Sequence, residues 1–244
     1  MTRTHDSAAP GQPSTGAALV RSGGLLLAGL VIFEVATALH PGQQPMNDHT
    51  AVFAEYAASR DWIPIHLAQF LAALIVLCGL LALRRAMTGH EELLQALALG
   101  AASATAAAIA ANMAVDGVTL KHAVDAWAAA PPAEKSTRFA AAETVRWLEW
   151  GANSFFQLLL GLTVGLFGLL LVRHRTTARW IGLAGMLAGA CLIWAAVTVA
   201  YDGFTDSPAS TVAAALFLSM ALGILVQGLR RRATPSEQAP APVP

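Results

Sequence analysis

Six apolar stretches of about twenty residues confine this chain to a membrane fold more firmly than any motif it carries. A bilayer core of roughly 30 Å requires about 20 such residues of a spanning helix. The stretches run near 23–39, 65–83, 93–115, 150–172, 180–201 and 209–229, and only the first holds a formal charge, Glu34. They are continuous and rich in Leu, Ala and Gly, without the alternating polarity of barrel strands of about ten residues. The expected fold is therefore all-α, a six-helix transmembrane bundle at 22–230 between disordered tails at 1–21 and 231–244. Composition agrees, since 56% of the 244 residues are hydrophobic and 12% charged, against about a quarter charged in a soluble domain. Fifteen basic residues balance fifteen acidic ones, which leaves no positive footprint for nucleic acid. The bilayer is the expected partner. Cys78 and Cys191 stand inside apolar runs with no metal or disulfide spacing, and read as buried thiols.

Orientation follows from Lys and Arg, which are retained on the cytoplasmic side. With the N-terminus inside, ten arginines fall inside, at 3, 21, 84, 85, 173, 175, 179 and 230–232. Arg60, Lys121, Lys135, Arg138 and Arg146 fall outside. The expectation is a multi-pass protein of the cell membrane with both termini cytoplasmic. Ala36-Thr37-Ala38 has the small residues of a signal-peptide cleavage site, but the apolar run is long for a signal, so a retained first helix is expected.

The chain also repeats itself. FAEYAASRDWIPIHLAQF, leading into the second span, resembles FAAAETVRWLEWGANSFFQL, leading into the fourth. Trp62-x6-Gln69 aligns with Trp150-x6-Gln157, and the odd spans end at His40-Pro41-Gly42, Asp116-Gly117 and Asp202-Gly203. Three hairpins in parallel orientation are read from this. Between the spans, helices are expected at 50–59, 118–130 and from about Ser136, the second ended by Pro131-Pro132. Together they form a small extracytoplasmic cap. Trp62, Trp127, Trp147, Trp150 and Tyr201 fall at its level, as an interfacial aromatic belt would.

Polar groups recur where lipid would reject them. Glu34, Gln69, Asn112, Glu149, Asn153, Gln157 and Asp202 lie in or at the outer thirds of the spans. Residues four apart share a helix face, so Glu149, Asn153, Gln157, Gly161 and Gly165 form one stripe, and Gly100, Ala104, Ala108, Asn112 and Asp116 another. Small residues at that spacing bring helices together, which would turn the polar ends inward to an outward-facing pocket. Glu34, with apolar neighbours on both sides, calls for a partner.

Two readings follow. One is a binder or transporter of a small molecule or lipid, or an accessory membrane subunit. The other is a metal-dependent enzyme at the outer face, with His40, His66, Asp116 and His122 holding zinc and Glu149 or Glu34 as general base. His40 and His66 could also serve as axial haem ligands. Around DWIPIHLAQF the chain resembles uncharacterised bacterial multi-pass membrane proteins, a family of unknown function. The pattern is an acidic residue, Trp, then His and Gln opening a helix, and the resemblance spans Leu39 to Val172. It implies the topology and no activity.

Overall fold

The computed structural model describes residues 14–87, 91–205 and 207–233, and within them the chain is helical with no strand. Helix α1 spans Thr15–Leu39, α2 His49–Ala58, α3 Trp62–Arg84 and α4 Glu92–Ala114. A π-helical turn, Val115–Leu120, joins α4 to α5, Lys121–Ala128. Helix α6 spans Lys135–His174, α7 Arg179–Asp202 and α8 Pro208–Ala233. Six of these helical segments are long and apolar enough to cross a membrane.

Local chemistry sets the boundaries. Ser14 caps α1 and Asp48 caps α2, each accepting from the backbone N–H three residues on, the second at 3.1 Å. Pro64 sits in the first turn of α3, where a missing N–H costs nothing. Gly203, at φ 77 and ψ −163, ends α7 in a backbone conformation open essentially to glycine alone.

Several boundaries differ from the sequence expectation. Helix α1 begins at Thr15, so 15–21 is helical, as is 231–233 in α8; residues 1–13 and 234–244 of the expected tails lie outside the described residues. The stretch from Ser136 and the fourth span form one 40-residue helix, α6. Asp116-Gly117 does not end a helix, because the π-turn carries α4 straight into α5.

The spanning helices form a ring in chain order: α1 against α3, then α4, α6, α7 and α8, which closes on α1. Glycines set the tightest seams. A Cβ on Gly168 would lie 2.6 Å from the Gly182 carbonyl oxygen, and one on Gly161 2.7 Å from that of Gly189, so α6 and α7 meet backbone to backbone. Gly23 and Gly228 do the same between α1 and α8.

Two apolar clusters lie at opposite ends. The larger, around Leu26, Leu80, Phe167, Leu171, Ile181 and Met220, fills the half of the bundle that holds the described chain ends. The smaller joins Val52, Phe53 and Tyr56 of α2 to Trp62, Leu120, Val124 and Ala142, so α2 and α5 pack on the start of α6. Trp62 is fully buried there, not part of a belt, whereas Trp147 and Tyr201 are exposed. Cys78 is exposed rather than buried, since α3 turns one face away from the bundle. Gly100 likewise meets open space. The buried face of α4 is instead Ala98, Ala102, Thr105, Ile109 and Asn112.

Candidate functional site

Between the two clusters the bundle encloses polar side chains. Arg146 and Glu149 lie one turn apart on α6, on a face turned inward, and Nη1 of Arg146 donates to both Glu149 carboxylate oxygens at 2.7 Å. Both side chains are at most 4% exposed. Arg146 Nη2 donates to the Met46 carbonyl at 3.3 Å, and its guanidinium lies 4.4 Å from the Phe204 ring centroid. Such a pair is tolerated at this depth because each charge is met by the other.

Facing it is an aromatic and imidazole stack. The Trp62 indole lies 4.1 Å from the Tyr56 ring, 4.5 Å from His66 and 4.8 Å from His40, centroid to centroid. Its Nε1–H donates to the Asp116 carbonyl at 3.0 Å. A π-turn disturbs the regular backbone ladder, and here the indole serves a carbonyl within it. His66 Nδ1 is 2.7 Å from the Trp62 carbonyl, while Nε2 is 3.2 Å from Asp116 Oδ2, in electrostatic contact but poorly aligned for a hydrogen bond. Gly117 is required beside it: a Cβ there would fall 2.6 Å from His66 Cβ. Burial, reinforced by the nearby His66, lowers the pKa of His40, and burial raises that of the Tyr56 phenol.

Beside this stack lies a vestibule of about 230 Å³ lined by His40, Glu55, Gln69, Asn112, Asp116, Arg146, Glu149 and Asn153. A second cavity, of about 280 Å³, lies at the centre of the ring and takes residues from all six spanning helices, among them Leu30, Val76, Thr105, Gln157, Leu192 and Phe217. Phe33, Asn153 and Phe156 line both chambers. One chamber is polar and the other mainly apolar, and they share a wall.

The expected pocket residues divide between these chambers. Gln69, Asn112, Glu149 and Asn153 reach the vestibule, and Glu34 and Gln157 reach the central cavity. Gln69 donates to Thr37 Oγ1 at 3.2 Å rather than to Glu34, and Gln157 donates to Asn153. Asp202 joins neither chamber: it is exposed at the end of α7, where its backbone carbonyl accepts from Asn47. Of the four suggested metal ligands, His40, His66 and Asp116 converge, but His122 is exposed on α5. Among the described residues no three His, Cys, Asp or Glu side chains are placed to hold a metal ion. The His40 and His66 rings touch at 5.0 Å between centroids, with no room for a macrocycle between them.

Sequence reasoning missed Tyr56, Glu55 and Arg146. The last had a signal, a basic residue three before Glu149 on one helix face.

The deepest feature is Asn112. Its side chain is fully buried, and neither its amide nitrogen nor its oxygen has a hydrogen-bond partner. Asp116 Oδ1, Glu55 Oε2 and Arg146 Nε are likewise buried and unpartnered. Native interiors satisfy nearly all such atoms, and four residues of one vestibule fail to do so. Comparison with protein-family models, with curated proteins and with solved structures finds no match.

Proposed function

We propose that this integral membrane protein binds a small amphiphile, holding its polar end in the vestibule and its apolar end in the central cavity. The observation that carries this is the Asn112 side chain, buried with both polar atoms unpartnered on the wall of a chamber that adjoins an apolar one. Unmet acceptors outnumber donors: Asn112 Oδ1, Asp116 Oδ1 and Glu55 Oε2 against Asn112 Nδ2 and Arg146 Nε. A head group that donates hydrogen bonds, a hydroxyl or an amine, suits that balance, and a carboxylate does not.

Two further features support the setting. The arginines at 84, 85, 173, 175, 179 and 230–232 lie at the bundle end away from the vestibule, and the retention of positive charge in the cytoplasm favours a vestibule that opens at the outer face. The Trp62 indole donates to the Asp116 carbonyl, and Trp150 lies beside Gly203, where a Cβ would come within 2.8 Å of its ring. That correspondence supports duplicated hairpins.

The test is thermal unfolding of the detergent-purified protein with dodecylamine, dodecan-1-ol or dodecanoic acid. The amine or the alcohol is expected to raise the melting temperature saturably and the acid to leave it unchanged. Equal shifts with all three, or none, would remove the reading.

A further inference from the structure

The chamber at the centre of the ring is not closed on all sides. The glycine-mediated approaches of α1 to α8, at Gly16, Gly23 and Gly228, all belong to the end of the bundle that holds the described chain ends. Beyond them Glu34 on α1 and Ser210, Thr211 and Val212 on α8 are exposed, while Val31, Val35 and Leu39 bare a different face of α1, beside the start of α3. Glu34 and Ser210 are exposed and also line the central cavity, from α1 and α8 respectively. The gap between these helices is therefore an opening, and Glu34 stands at it.

Position makes this carboxylate unusual. It lies about a turn and a half before the end of α1, flanked along the chain by Phe33 and Val35. The described ion pairs do not include it, and the amides that share its cavity, Gln157 and Asn153, bond each other. An ionisable group at membrane depth costs several kcal/mol unless something meets it. Packing does not require Glu34, since it is exposed. A cation arriving from the membrane would meet it.

We infer that the gap between α1 and α8 is a lateral portal through which a single-chain cationic amphiphile, a long-chain amine, passes from the bilayer into the central cavity, guided by Glu34. This rests on the binding proposed above and narrows its ligand class. A path from the leaflet fits the order of the surfaces: carboxylate at the mouth, then Phe33 and Phe156 along the wall, then the acceptor-rich vestibule. An amine head passes from one acceptor to the next while its chain stays among apolar side chains throughout.

The test uses full-length protein in phosphatidylcholine nanodiscs, with dodecylamine as the probe. Binding is followed by stopped-flow tryptophan fluorescence, which reads Trp62 and Trp150 beside the vestibule. Glu34→Gln is expected to slow dodecylamine association about tenfold and to leave dodecan-1-ol association unchanged. Ser210→Phe, at an exposed site where folding is not at risk, is expected to slow association and dissociation by a similar factor with Kd unchanged. Saturable dodecylamine binding with wild-type rates and affinity in both variants would overturn the portal and leave the vestibule reading standing. An absence of saturable binding in the wild type would overturn both.

Discussion

An amide buried with neither atom hydrogen-bonded costs about 1–3 kcal/mol, and the vestibule concentrates costs of that kind. Against Asn112 stands Arg146–Glu149, in which each charge is met. Removing one member leaves the other buried and alone, which costs about 3–5 kcal/mol, whereas replacing both by apolar residues is often nearly neutral. Arg146→Met is therefore expected to lower the melting temperature strongly, and Arg146→Met with Glu149→Leu to recover most of the loss, measured by thermal unfolding in one detergent. His40 makes a pH-dependent contribution. Burial, then the nearby His66, hold its pKa below that of free imidazole, with Arg146 acting in the same direction and Asp116 and the Pro41 carbonyl opposing. The unfolded chain then takes up a proton at higher pH than the native one. Stability from the neutral ring is complete above about pH 6.5 and declines as pH falls toward the lower native value. Between about pH 7 and pH 5 the wild type should lose melting temperature on acidification relative to His40→Gln, read by thermal unfolding of both proteins across that range. Polar residues inside apolar runs stand out in a sequence, which is how Gln69, Asn112 and Asn153 were legible. Arg146 and Tyr56 were not, because a charged or aromatic residue near a helix start reads equally as a headgroup contact.

At the scale of the helices, length and hydropathy point to the six long apolar helices that the structure contains, since a bilayer demands both properties of a spanning helix. Joins are less legible. The run from Lys135 to His174 contains no Pro and only Gly151, Gly161, Gly165 and Gly168, so nothing local stops it, and a separate cap helix merges with the span. The π-turn was invisible for a related reason: Asp116-Gly117 has the chemistry of a helix end, and only the indole of Trp62 and the close approach of His66 explain why the chain continues there. Glycine spacing alone also misleads, because the same residue type sits in a seam at 168 and at an open surface at 100. The two positions predict opposite outcomes. Gly168→Val forces α6 from α7 and should sharply reduce the yield of folded protein and its melting temperature. Gly100→Ala should be neutral or stabilising by about 0.5–1 kcal/mol through helix propensity. Equal effects at the two sites would mean that α6 and α7 do not meet where described.

Across the whole molecule the ring divides along its axis into a packed apolar half and a half hollowed by two adjoining chambers. Hydropathy reports the first and cannot report the second, because convergence depends on how each helix is rotated about its axis. That rotation separated Glu34 and Gln157 from the vestibule residues and sent Asp202 and His122 to the surface. On the binding proposed above, the hollow half is a ligand site and not merely loose packing. Dodecylamine titration of the wild type and of Asn112→Leu, each followed by thermal unfolding, tests that most directly. Leucine has nearly the shape of asparagine without its unmet polar atoms, so the ligand-free variant should melt higher than the wild type and no longer be stabilised by dodecylamine. A variant that melts no higher, or that gains as much from the amine as the wild type does, would contradict the account.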